Sequence, residues 1–83
     1  MQIAIDVPTL IEKAKRTSGL NYGEMAQDIH KSRTRISEWL SGKAEIGTDE
    51  IAYFADKAGL PIIETVIALK PQWAHVWQRA TKS

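Results

Sequence analysis

The chain has 83 residues, no cysteine and a net charge of +1. That length predicts one domain over residues 1–83, with a core that is marginal without a staple or a partner. The absence of cysteine excludes disulfides and thiolate metal sites, so self-association is the cheapest remaining source of stability. No apolar run approaches the length of a membrane span. The opening MQIAIDVPT has neither a basic n-region nor a long apolar h-region, so no secretory signal is expected there and the default location is cytoplasmic.

The elements follow in chain order. Alternation around Ile3 and Ile5 is the only hint of extended chain, with an added strand at an interface as its most ambitious reading. A first helix is predicted from Val7 to about Ser18, with Asp6 as N-cap and Pro8 tolerated in the first turn. Its stripe is Val7, Leu10, Ile11 and Ala14, and Gly19 stops it. A second helix follows Asn21 and runs to about Ile29, turning Met25, Ala26 and Ile29 inward. His30 and Lys31 make a turn, and a third helix runs from Ser32 to Gly42. A fourth starts after Thr48, with Asp49 and Glu50 at the positive end of its dipole. It buries Ile51, Phe54, Ala55 and Ala58, and ends at Gly59. Pro61 opens a fifth helix to about Leu69, strongly apolar through Ile62, Ile63, Val66, Ile67 and Leu69. Pro71 breaks the chain and opens a last helix from Gln72 to about Ala80. The predicted class is therefore all-α, with five to six short helices: a body over about 7–69 and a C-terminal helix over 70–83.

The pair of helices between Leu20 and Lys43 reads as a helix-turn-helix. On a helical wheel Ile36, Trp39 and Leu40 make one apolar side of the third helix. Thr34, Ser37, Glu38 and Ser41 fall opposite, Arg35 lies on a flank, and Arg33 points forward from the N-terminus. Side chains at the N-terminal end of such a helix are those that reach base edges in the major groove. Arg33 is expected to fork onto guanine O6 and N7, with a phosphate contact as the alternative. Thr34 suits a thymine methyl or a base acceptor. Glu38 suits cytosine N4, but an acid near phosphates is costly, and pairing with Arg35 or Arg33 is the better expectation. Ser32 caps the helix and so aims its first N–H groups at a phosphate. The helix before it crosses the backbone, where Asn21 and Tyr22 are candidate phosphate contacts; Tyr22 reads equally well as a boundary core residue. Lys43, Arg35 and Lys31 complete the expected backbone set.

Charge is distributed to match. Lys31, Arg33, Arg35 and Lys43 stand against Glu38 alone between residues 31 and 43. From Ala44 to Glu64 the acids Glu45, Asp49, Glu50, Asp56 and Glu64 face only Lys57. A small DNA binder needs a positive surface only toward phosphate.

Residues 20–60 resemble the xenobiotic-response-element family of helix-turn-helix regulators, which includes the Cro and repressor proteins of phages. The resemblance rests on Leu20, Met25, Ala26, Ile29, Ser32, Arg33, Ile36, Ser37, Trp39, Gly42, Lys43 and the apolar pattern to Leu60. It covers about half of the chain. It implies a lambda-repressor-like five-helix DNA-binding domain, dimeric on operators with two-fold symmetry, in a protein encoded by a bacterium or a phage. The implied base-reading positions are Arg33, Thr34, Ser37 and Glu38, with phosphate contacts from Asn21, Tyr22 and Lys43. Two departures stand out. His30 occupies the turn position where the family usually has glycine. Asn21-Tyr22 stands where Thr-Gln is common, which removes the usual glutamine–phosphate contact. The short length is similar to that of small phage repressors.

Trp73, Val76, Trp77 and Ala80 form a stripe at i, i+3, i+4 and i+7. With Val66 and Leu69 they are expected to form an interface between two copies, because tryptophans of this kind anchor interfaces. The alternative is that the stripe folds back onto its own subunit. A two-fold dimer sets recognition helices about 34 Å apart. Double-stranded DNA and a second copy are thus the expected partners, with an anti-repressor or RNA polymerase as a further contact. An enzyme is not expected. His30 and His75 lack metal-ligand spacing, no nucleophile motif occurs, and Gly42 and Gly47 are followed by Thr48 where a phosphate loop requires lysine. No cofactor and no metal site is expected. Two other readings remain: an antitoxin-like or adaptor module whose apolar C-terminal helix binds another protein, and a DNA-binding activator.

Overall fold

The computed structural model describes residues 5–73. Five helices occur there: α1 (Val7–Ser18), α2 (Tyr22–Asp28), α3 (Arg33–Ser41), α4 (Thr48–Ala58) and α5 (Ile62–Leu69). A 3₁₀ turn, Pro71–Trp73, follows α5. There is no strand among the described residues, and no helix among them is long and apolar enough to cross a membrane. The all-α expectation is met. The early strand hint falls on Ile3, outside the described residues, and on Ile5, which packs against the core.

Local chemistry sets the helix ends. The Asp6 carboxylate accepts the Thr9 N–H at 2.9 Å and starts α1. Asn21 and Glu24 form a reciprocal capping box on α2, at 2.8 and 3.0 Å. Ser32 Oγ accepts the Arg35 N–H at 3.1 Å and starts α3. α4 starts one residue earlier than its sequence suggests. Gly47 is the cap residue, its N–H donating to the Glu50 carboxylate at 3.2 Å, and Thr48 is the first helical residue. Pro71 ends the run after α5 as a 3₁₀ turn. The remainder of the expected last helix, with Val76, Trp77 and Ala80, lies outside the described residues.

α4 is the centre of the packing. α1 and α5 lie on it, and α1 also touches α3, which packs against α2. The core is Leu10, Ile11 and Ala14 from α1; Met25 and Ala26 from α2; Ile36 and Trp39 from α3; Ile46 from the α3–α4 loop; Ile51, Phe54, Ala55 and Ala58 from α4; and Val66 from α5. Phe54 is fully buried and meets the Trp39 ring edge-on, with centroids 6.1 Å apart at 82°. Such an aromatic pair adds roughly 0.5–1.5 kcal/mol beyond area burial. It ties α3 to α4.

α5 buries a different face from the one its composition suggests. Thr65 is fully buried, whereas Ile62 and Ile63 are 40% and 38% exposed. Thr65 Oγ1 donates to the Pro61 carbonyl at 2.6 Å, which satisfies the hydroxyl inside the helix and lets its methyl face the core. Val66 is 8% exposed and belongs to this core. Val66, expected at an interface between copies, thus packs inside the subunit's own core. Leu69 is half-buried against the same core.

Candidate nucleic-acid interface

Four residues, Ile29 to Ser32, link α2 to α3. Ile29 follows α2, His30 adopts φ +57°, and the Lys31 N–H returns to the Ala26 carbonyl at 2.9 Å. His30 is the one non-glycine residue with positive φ among those described. Histidine tolerates this left-handed region better than most side chains, at some cost. The turn thus keeps its expected shape without glycine. Ser32 then returns to extended backbone and caps α3.

α3 buries Ile36 and Trp39, with Leu40 half-buried, and presents the rest. Arg33, Thr34, Arg35, Ser37 and Ser41 are exposed, and Glu38 is partly so. This is the division that the helical wheel predicts. Arg33 is the first helical residue and has no ion-pair partner among the described residues. Glu38 pairs with Arg35, Nη1 to Oε1 at 3.4 Å. An exposed pair at this spacing stabilises a helix by only about 0.3–0.5 kcal/mol. Its larger effect is directional, since it holds Arg35 along the flank of α3. Ser41 donates its hydroxyl to the Glu38 carbonyl.

The helix ends where Gly42 takes φ +81°, and the Lys43 N–H closes back onto the Glu38 carbonyl at 2.9 Å. A side chain other than glycine resists that φ. Lys43 leaves the C-terminal end of α3 exposed, and Lys31 does so just before the N-terminal end. A nine-residue helix is about 13 Å long, so the two lysines bracket the exposed polar face.

The start of α2 differs from expectation. Tyr22 is half-buried, its hydroxyl donates to the Glu12 carboxylate, and the Lys15 ammonium lies 4.8 Å from its ring centroid. Partial burial, followed by the Glu12 hydrogen bond and charge, pushes its pKa up to about 12. That hydroxyl is engaged within the domain and joins α2 to α1. Asn21 is exposed, but its side-chain oxygen and backbone N–H are both used in the capping box.

A matching bond at the other end of α2 has no counterpart in the sequence reading. Tyr53 of α4 donates its hydroxyl to Asp28 Oδ2 at 2.6 Å, with Lys57 Nζ 5.6 Å from its ring. Burial, then Asp28 and Asp56, raise the Tyr53 pKa. Asp28 ends α2, where a negative charge opposes the helix dipole. That unfavourable placement is the one local signal of an external partner. Two tyrosine–carboxylate bonds therefore hold α2 at its two ends, and the turn into α3 follows it.

The expected DNA contacts Arg33, Thr34, Ser37 and Glu38 lie together on α3, with Ser32 at its cap and Lys31, Arg35 and Lys43 around it. Of the expected interface residues, Val66 is in the core, Leu69 is half-buried, Trp73 closes the described residues, and Val76 and Trp77 lie outside them. Comparison with known proteins returns no matching family model, no matching curated protein and no matching solved structure.

Proposed function

We propose that this chain is a sequence-specific, double-stranded-DNA-binding transcriptional repressor of the bacterial or phage cytoplasm. It acts as a homodimer on a palindromic operator, with α3 in the major groove, and represses by occupying the site that polymerase needs. The observation that carries this reading is the first turn of α3. Arg33 and Thr34 are exposed there, with Ser37 exposed one turn on, on a helix whose other side is locked into the core by Ile36 and Trp39. Lys31 and Lys43 at its two ends supply the charge that phosphate neutralisation requires. Arg33 reads guanine, Thr34 and Ser37 read neighbouring base edges, and Glu38 orients Arg35. The exposed Ile62 and Ile63 of α5 give two copies an apolar surface to cover. The family resemblance of residues 20–60 points the same way.

Selection of bound sequences from a random DNA pool at physiological salt tests the proposal. A palindromic motif with half-sites about one helical turn apart is expected. A pool that yields no motif would overturn it and favour the adaptor reading, in which the apolar C-terminal helix binds another protein. Within a recovered motif, Arg33→Ala is expected to cost roughly 1–3 kcal/mol and relax preference at one base pair. An equal loss on every sequence would make Arg33 a phosphate contact instead.

A further inference from the structure

Consecutive residues of α4 grip the two helices that flank the turn. Phe54 is fully buried and meets the Trp39 ring of α3 edge-on. Its neighbour Tyr53 is half-buried and donates its hydroxyl to Oδ2 of Asp28, the last residue of α2, at 2.6 Å. The two α4 rings also meet edge-on, with centroids 5.4 Å apart at 77°. Asp28, Tyr53, Phe54 and Trp39 thus form a continuous line from the end of α2, through α4, to the last turn of α3.

The core anchors of α2 are Met25 and Ala26, both near the middle of this seven-residue helix. Apolar burial holds a helix down without prescribing its direction, so a helix anchored at its middle can tilt about that point. A hydrogen bond does prescribe direction. Tyr22 donates one at the start of α2, and Asp28 accepts one at its end. Ile29, half-buried just beyond, adds apolar contact only. The chain that follows is tied to this end. The Lys31 N–H returns to the Ala26 carbonyl at 2.9 Å, and Ser32 then caps α3 through the Arg35 N–H. A tilt at Asp28 is therefore passed to Lys31 and Arg33, the groups proposed to meet DNA.

We infer that Tyr53 is a positioning residue of the helix-turn-helix: through Asp28 it fixes the end of α2 from which Lys31 and Arg33 are presented. It acts by way of that carboxylate and not by contact with DNA. Its consequence for recognition rests on the proposed DNA binding, whereas its effect on the helix is measurable without DNA.

The test compares the full native chain with Tyr53→Phe, Asp28→Ala and Asp28→Asn, each at a temperature where circular dichroism shows it folded. Tyr53→Phe keeps the ring beside Phe54 and loses only the hydroxyl, and Asp28→Asn keeps an oxygen that accepts. Residual dipolar couplings of backbone amides in the free chain are expected to show α2 and residues 29–32 turned relative to α4 in Tyr53→Phe and Asp28→Ala, and in place in Asp28→Asn. Couplings that fit the native orientation in every variant would overturn the inference. A second arm measures affinity for a duplex carrying the motif recovered from the random pool and for a scrambled duplex of equal length. Asp28→Asn removes a negative charge and so strengthens both alike, leaving their ratio near native. That ratio is expected to fall about fivefold in Tyr53→Phe and in Asp28→Ala, because a surface bond transmits no more than its own strength. The double variant should lose no more than either single one. A lowered Tm with an unchanged ratio would make Tyr53 a stabilising contact only and overturn the inference. A native chain that binds both duplexes equally refutes the repressor reading instead, and the couplings then decide whether Tyr53 sets the end of α2.

Discussion

Both tyrosines of this chain donate their hydroxyl groups to carboxylates, Tyr22 to Glu12 and Tyr53 to Asp28, and this arrangement predicts a specific alkaline behaviour. Ionising either phenol destroys the donor and sets one anion against another. Burial and the neighbouring acids raise Tyr22 to about 12, and raise Tyr53 by the same causes. An unfolded tyrosine titrates near 10. A group whose folded pKa lies above its unfolded one contributes stability that is complete below pH 10. That stability disappears as the pH rises through the folded value, so the window of loss opens at about pH 10 and extends past 12 for Tyr22. A hydrogen bond to a charged group is worth roughly 1.5–3 kcal/mol. Both bonds lie at the surface, where solvent screens them, so about 1 kcal/mol each is the better figure. In a domain of this size that is about 4–8 °C of Tm per bond. Tyr22→Phe and Tyr53→Phe should each lower Tm by that amount at neutral pH, and the loss should shrink above pH 10. Tyrosinate absorbance, followed together with circular dichroism, should rise late and in step with unfolding. Titration near pH 10 with the helices intact would refute the reasoning, because it would show that neither carboxylate holds its phenol.

Three further outcomes follow from single positions. His30→Gly removes the strain of φ +57° and adds freedom to the unfolded chain, so a net gain of about 0.5 kcal/mol is expected in denaturant melts. A loss would mean that the imidazole makes a contact worth more than the strain. Val66→Ala removes buried methyl groups from the core and should cost about 2 kcal/mol at any protein concentration. A cost that grew on dilution would return Val66 to an interface. Lys43→Ala should weaken DNA binding almost equally on all sequences and lower the salt slope by about one, whereas an unchanged slope would remove it from the phosphate contacts.

What could be read from the sequence was decided by near neighbours. Asp6, Asn21 and Ser32 each cap a helix by accepting from the N–H three positions on, within a single turn, so composition and spacing find them. The exposed face of α3 is equally local, since a wheel built on Ile36, Trp39 and Leu40 already separates it. What escaped depends on separation in the chain or on a choice of face. Tyr53 and Asp28 are 25 residues apart, and so are Lys70 and Glu45. No periodicity links such partners. In α5 six of eight residues are apolar and fall on every side of the helix, so the pattern does not single out the buried face. Thr65 went inward because its hydroxyl has the Pro61 carbonyl within reach, and Ile62 and Ile63 were left at the surface.

If α3 meets DNA as proposed, Glu38 has to be reconciled with a polyanion. Unpaired, its carboxylate would repel phosphate and cost affinity on every sequence. Bound to Arg35, it leaves that pair nearly neutral, and the net positive charge near α3 falls to Lys31, Arg33 and Lys43. Two of these are lysines at the ends of the helix, suited to phosphate as compact, flexible charges. The third is the arginine at its N-terminus, whose planar fork suits a base edge. A second ionic partner for Arg33 would blunt that division, and none is present among the described residues. Specificity on this reading concentrates in Arg33, with Glu38 acting through what it withholds. Glu38→Gln should therefore free Arg35 to join the phosphate contacts, raising affinity for all DNA and steepening its salt dependence by up to about one unit. The ratio of specific to non-specific binding should fall as a result. If Glu38→Gln lowered affinity at one base pair instead, the carboxylate would be reading a base directly.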